Sequence, residues 1–132
     1  AQGRAGLMAR TMRRGEARVL DLPGRIATEV ASAATGASSS TVRLVEIAPG
    51  TTSRGPHLHD GFEEVIHVLE GTGVLKTDGG DHPLAPGDTA LVPSGERHQT
   101  VNTGDVTLAL FCVFPVADIR PGTREFESWD SA

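Results

Sequence analysis

Apolar residues in this chain either alternate with polar ones or gather in short runs, and each stretch stops at a cluster of glycine, proline, serine, asparagine or aspartate. That is the period and the punctuation of β-strands. From Arg25 to Ala33 the residues Ile26, Thr28 and Val30 take every second position, which predicts a half-buried strand. The small polar loop Thr35 to Ser40 follows, and Thr41 to Ala48, nearly continuous in apolar residues, predicts the next strand, ended by Pro49-Gly50. Val65-Ile66-His67-Val68-Leu69 predicts a strand headed by Glu64, and Glu70 to Gly73 turns it into Val74 to Thr77. Asp78-Gly79-Gly80 turns the chain again, with His82 and Pro83 in the loop beyond. Pro86-Gly87-Asp88 introduces Thr89 to Val92, and Pro93-Ser94-Gly95 bends the chain into a strand where His98, Thr100 and Asn102 share one face. Val106 to Pro115 is the longest apolar run and reads as a core strand, well short of the roughly 20 residues of a membrane span. Short strands with turn signals between them make the class all-β.

The two ends break this rhythm. Residues 1–20 hold five arginines against one acid, with few large apolar side chains, and read as an arm: solvated, briefly helical, or docked on a second subunit. Leu22-Pro23-Gly24 closes it as a turn. From Ala117 onward Asp118, Glu125, Glu127 and Asp130 surround Phe126 and Trp129, aromatics expected to pack on the outside of the fold or on a partner subunit. No linker separates domains, so residues 21–132 are expected to form one unit with a tail.

Composition narrows the function. A net charge of -5 argues against general nucleic-acid or anionic-membrane binding, both of which need a basic face. The first residues carry no unbroken apolar core of a signal peptide, and one cysteine, Cys112, excludes an internal disulfide, so a cytoplasmic setting is expected. With no tyrosine there is no tyrosyl base, and the single lysine, Lys76, sits beside a turn and is a poor Schiff-base candidate. Ser94, between Pro93 and Gly95, is no nucleophile elbow, and Cys112 in its apolar run reads as an inert buried thiol.

The chemistry concentrates in Pro56-His57-Leu58-His59-Asp60-Gly61-Phe62-Glu63-Glu64. His57 and His59, two apart on a strand, send both imidazoles from one face. The Asp60-Gly61 turn brings Glu64 back beside them, and His98 enters from a later strand. Three imidazoles and a carboxylate form a mixed nitrogen and oxygen set that suits divalent zinc, iron, manganese, nickel or copper without selecting among them. His67 has the opposite parity and His82 lies in a loop, so neither is placed in the site. Glu63, also of opposite parity, is expected outside the barrel or behind an imidazole. Arg54 is either an anion-binding side chain at the mouth or an exposed loop residue.

The spacing of these residues resembles the two motifs of the cupin superfamily. The first block reads Pro49-Gly50, six residues, His57-x-His59, four residues, Glu64, six residues, Gly71, one residue longer before His57 than the family pattern. The second reads Gly87, five residues, Pro93-x-Gly95, two residues, His98, three residues, Asn102, and fits at every fixed position. Fifteen residues link Gly71 to Gly87, as in small single-domain bacterial cupins. The resemblance implies a double-stranded β-helix, a jelly-roll-like barrel, in which His57, His59, Glu64 and His98 bind one divalent transition metal. It also implies a homodimer, since family members commonly pair sheets or exchange terminal strands.

On that basis the chain is expected to be a metalloenzyme acting on a small oxygen-bearing organic substrate, by dioxygenase-type or by non-redox lyase, isomerase or cyclase chemistry. Glu64 is the residue with a double role, as ligand and as catalytic proton acceptor. Phe62, Ile66 and Phe111 are candidate apolar walls of the pocket. The alternative is a non-catalytic barrel in which the metal recruits or senses a small ligand.

Overall fold

The alternating stretches become strands whose two faces have different fates, one turned into a shared core and one to solvent. The computed structural model describes residues 8–51 and 54–131, and among these eleven strands form two antiparallel sheets. In chain order they are β1 (Arg18–Leu22), β2 (Arg25–Ala31), β3 (Thr41–Ile47), β4 (His57–His59), β5 (Glu64–Glu70), β6 (Gly73–Thr77), β7 (Gly80–Leu84), β8 (Thr89–Val92), β9 (His98–Asn102), β10 (Leu108–Phe114) and β11 (Thr123–Glu125). One sheet has the order β1-β2-β3-β10-β5-β8 and the other β11-β4-β9-β6-β7. No helix among the described residues is long and apolar enough to cross a membrane.

Period two explains the core. Along β5, Glu64, Ile66 and Val68 are buried, and along β10 Leu108, Leu110, Cys112 and Phe114 join them. With Ile47, Leu75, Leu84, Val92 and Ile119 they form one cluster between the sheets. Each fully buried aliphatic side chain contributes about 1.5–3 kcal/mol of hydrophobic stabilisation, so this layer outweighs any single polar contact in the fold.

The expected strands appear, with four differences. β1 starts at Arg18, inside the stretch read as an arm, and pairs with β2 in a hairpin around Pro23-Gly24. Residues 1–7 of that arm, and residues 52–53 in the approach to β4, lie outside the described residues. On β2 Arg25 and Ala27 line the barrel interior, with the buried Glu29 on the same row; of the β-branched row Thr28 is buried too, while Ile26 is 46% exposed. The loop assigned to His82 is instead strand β7, which pairs only with β6; its edge position tolerates Pro83, which has no N–H to give to a further strand. The tail pairs β11 with β4 and folds back on its own barrel: Trp129 Nε1–H donates to Gln99 Oε1 at 2.9 Å, and the Arg97 guanidinium lies over the Phe126 and Trp129 rings.

Two turns position the site. Gly61, at φ 97°, allows the reversal that takes the chain from β4 to β5. Gly71, at φ 82°, sits against the Thr107 and Leu108 backbone, where a Cβ would clash. Asn102 closes β9 as a structural residue: its amide donates to the carbonyls of Ile47 (2.9 Å) and Val106 (2.8 Å), and its Oδ1 accepts from Gly104 N–H (2.9 Å). Replacing Asn102 with Ala is expected to cost about 2–3 kcal/mol in urea unfolding, roughly 1 kcal/mol per lost bond, while leaving the histidine cluster intact.

Candidate metal centre

Strand pairing, rather than proximity in sequence, assembles the centre. β4 lies beside β9 with His57 directly opposite His98, so three imidazoles leave the inner face of one sheet. Glu64 is the first residue of β5 in the facing sheet and approaches from across the core. All four are buried, and their ligand atoms lie within 4.8 Å of one another. That span is close to the roughly 4.2 Å between opposite donors around an ion with bonds of about 2.1 Å. A set of three histidines and one glutamate suits one transition metal ion.

The outer nitrogens decide what the inner ones present. His57 Nδ1–H donates to the Gly55 carbonyl (3.3 Å) and His98 Nδ1–H to the Glu96 carbonyl (3.1 Å), acceptors that require a proton on Nδ1. Behind His59 stands Thr123 of β11, whose hydroxyl donates to the Ile119 carbonyl at 2.6 Å and therefore accepts from His59 Nδ1–H at 2.9 Å. Each ring thus turns its Nε2 inward. There Glu64 Oε1 lies 2.9 Å from His98 Nε2, at hydrogen-bond distance, and 3.2 Å from His59 Nε2. His59 Nε2 has no hydrogen-bond partner although it is buried. A buried imidazole nitrogen without a partner, beside a buried carboxylate and two further imidazoles in a dry space, calls for positive charge, and a divalent ion would supply it. The residues fit the metal.

Electrostatics agree. Burial first, then the Arg54 charge and the neighbouring histidines, hold His57 down at about 2, so it is neutral at physiological pH and competent as a ligand. Burial pushes Glu64 up, but the contacts of its carboxylate with His59 and His98 outweigh this and keep it ionised, below the usual carboxylate range. Cys112 also faces Glu64; burial, then the Glu64 charge, push its thiol well above the ordinary value, which makes it an inert wall.

Above the centre is a chamber of about 60 Å³, walled by Ala27, Val45, Ile47, Leu110, Phe114 and Ile119. Phe62 stacks on His59 with centroids 5.3 Å apart, and Phe114 meets the same ring edge-on at 5.1 Å, which fixes its plane. Arg25, Arg43 and Arg54 also line the chamber. Arg43 donates to Glu29 Oε1 through Nε (3.2 Å) and Nη2 (3.0 Å), and Arg54 makes a two-point ion pair with Glu125.

The sequence-derived group of His57, His59, Glu64 and His98 is therefore brought together, and His67, on the outer face against Thr89, and the exposed His82 stay out. Glu63 is exposed and holds no imidazole. Of the three expected walls, Phe62 packs against His59, Ile66 lies in the core away from the chamber, and Phe111 points outward, 36% exposed, because it has the opposite parity to Leu110 and Cys112. Arg54 does line the chamber, but tied to Glu125. Thr123, Arg25, Arg43 and Glu125 were not found from sequence; each depends on a strand pairing or a strand face that local pattern does not specify.

A family model described as Cupin domain matches residues 43–114. Among curated proteins, the oxalate-binding protein of Thermotoga maritima is 38% identical over 69 residues, 52% of this chain and 56% of that protein. Protein SchB of Streptomyces halstedii is 34% identical over 86 residues, 65% of this chain and 60% of that protein. The chain thus spans little more than half the length of these curated relatives. Among solved structures, the polyketide cyclase RemF from Streptomyces resistomycificus superposes with a TM-score of 0.74 at 27% identity over 93% of this chain and 89% of its own. A double-stranded β-helix protein from Klebsiella pneumoniae gives 0.72 at 20% identity over 92% and 100%, which shows the fold: an all-β double-stranded β-helix.

Two outcomes test the centre. Thr123→Val should weaken metal binding about ten- to a hundredfold in a chelator competition titration, with an unchanged circular dichroism spectrum. In the metal-free protein, His57 is held at about 2 against an ordinary 6.5, so its stabilising contribution is complete above 6.5 and is lost as pH falls toward 2. Depressed Glu64 adds the same sign of loss below its ordinary 4.5. The melting temperature of metal-free protein should therefore fall steadily from pH 7 to pH 4; a flat profile would contradict a buried neutral His57.

Proposed function

The chain belongs to the cupin family, and we propose that it is a metal-dependent enzyme acting on a small oxygen-bearing organic substrate. One observation carries this reading: the inward Nε2 atoms of three buried imidazoles and one buried carboxylate converge at the floor of a chamber with a charged mouth. His57, His59, Glu64 and His98 hold the ion. When bound, the ion acts as a Lewis acid that polarises a carbonyl or hydroxyl oxygen. The apolar walls exclude water around the substrate, and Phe62 and Phe114 keep His59 in one plane. Glu64 would be the proton acceptor: with Oε1 set against two imidazoles, its Oε2 could take a proton from a substrate carbon and return it elsewhere on the same molecule.

Such proton transfer serves a lyase, an isomerase or a cyclase. It is favoured over dioxygenase chemistry because the relatives include a named polyketide cyclase and a crystal structure of a predicted oxalate decarboxylase from Thermotoga maritima, which matches with a TM-score of 0.71 at 26% identity over 81% of this chain and 99% of its own. The chamber volume of about 60 Å³ holds about four to six water-sized spheres. That scale favours a substrate of few heavy atoms. A second reading, binding without turnover, is favoured by the relative named an oxalate-binding protein.

The outer face of the six-stranded sheet supports a homodimer. Val42, Val113, Val65 and Leu91 form one row across four strands, with Leu44 and Phe111 beside it, and Leu91 is 73% exposed. The single free thiol, Cys112, suits a reducing cytoplasm.

Protein prepared without added metal or affinity tag should carry about one transition ion per chain by elemental analysis, and His98→Ala should lose most of it while remaining folded. Saturable turnover of a small keto or hydroxy acid that Glu64→Gln abolishes would support the enzyme; saturable binding with no turnover would select the binding reading. Sedimentation should give twice the 13.8 kDa subunit mass, and a single-subunit mass would remove the dimer.

A further inference from the structure

Three arginines from three separate segments line the chamber: Arg25 at the start of β2, Arg43 on β3 and Arg54 before β4. Two are matched, Arg43 by the buried Glu29 and Arg54 by Glu125. Arg25 is not. Its Nη1–H donates to the Pro23 carbonyl at 2.8 Å, and no carboxylate of the described residues pairs with it. A guanidinium that only braced a turn would extend into solvent, yet Arg25 shares the inward row of β2 with Ala27 and Glu29 and shares the chamber wall with His57. Burial, together with the nearby Arg54 and against the pull of the Glu125 carboxylate, lowers it only to about 10, so it remains a cation at neutral pH.

Charge balance then selects the ligand. Of the charged groups that line the chamber, Arg25, Arg43 and Arg54 face the single carboxylate of Glu64, while Glu29, which Arg18 shares with Arg43, and Glu125 stand outside it, so a divalent ion would leave an excess of positive charge inside a chain of net charge -5. A half-buried, unpaired cation is costly until an anion meets it, and the planar guanidinium fork matches a carboxylate. We infer that Arg25 is the specificity-determining residue of this chamber, taking the carboxylate of a small organic anion whose remaining oxygens face the His57, His59, Glu64 and His98 group. This inference rests on the chamber being the ligand site of the proposed function, and it names the substrate class. A neutral substrate of the same size would leave both the fork and the excess charge unanswered.

The test is calorimetric titration of the metal-loaded protein with oxalate and pyruvate and with their uncharged counterparts oxamide and pyruvamide, on wild type, Arg25→Gln, Arg25→Lys and Arg54→Gln. Wild type should prefer at least one anion to its amide, and Arg25→Gln should weaken that anion about ten- to a hundredfold while leaving the amide and the metal content unchanged. Arg25→Lys, which keeps the charge without the fork, should fall between them, and it carries the test if the glutamine variant does not fold. Arg54→Gln should lose less than Arg25→Gln, since Arg54 is already paired. A wild type that holds metal but shows no anion preference, or a preference that survives in Arg25→Gln, overturns the inference and leaves the metal centre standing. Absence of metal from wild type would instead count against the centre, and the Arg25 comparison would then be read on the metal-free protein with the same two outcomes.

Discussion

Three imidazoles and a carboxylate meet in one dry space, and they do not all satisfy one another: His98 Nε2 reaches Glu64 Oε1, while the buried His59 Nε2 has no partner. Glu64 supplies only acceptor oxygens, and the outward hydrogen bonds of His57, His59 and His98 commit each Nδ1 proton away from the centre. In water such groups would each find a donor. Within the core they rely on a cation, and much of the surrounding structure keeps them from turning elsewhere. The two sheets face each other so that a carboxylate from β5 can reach imidazoles from β4 and β9, and two phenylalanine rings hold His59 in its plane. A buried polar cluster of this kind is a cost to an apoprotein and a source of affinity once loaded.

How much of this was legible follows from which pieces are local. His57 and His59 share a face because strand period is fixed by covalent geometry, and Glu64 follows them because a glycine turn of few residues can lead nowhere else. His98 was found through its spacing from Gly95 and Asn102. The supporting groups were less accessible. Thr123 stands behind His59 only because β11 pairs with β4, a contact between segments 64 residues apart whose register no periodicity states. Arg25 and Glu29 were hidden by a rule that fails here: β2 turns its charged row inward and leaves Ile26 in solvent. Near its mouth the barrel interior is a polar wall, so the more hydrophobic face of a strand is not the buried one. Phe111 was misplaced for the related reason that apolar residues occupy both faces of β10.

Charge is graded through the barrel. The middle layer is aliphatic, the floor of the chamber carries the histidines and Glu64, and the rim carries guanidiniums matched in part by Glu29 and Glu125. In an acidic chain the chamber is thus lined by three guanidiniums, and with a divalent ion at its floor the low-dielectric walls would focus a positive field toward small anions.

The contact between His59 and Thr123 also bears on how the centre comes into being. During synthesis the strands that carry all four ligands leave the ribosome before β11 does, so the imidazole cluster can collapse while His59 still lacks the hydroxyl that fixes its proton. Full affinity for an ion would therefore come only once that late strand has added itself to the sheet edge.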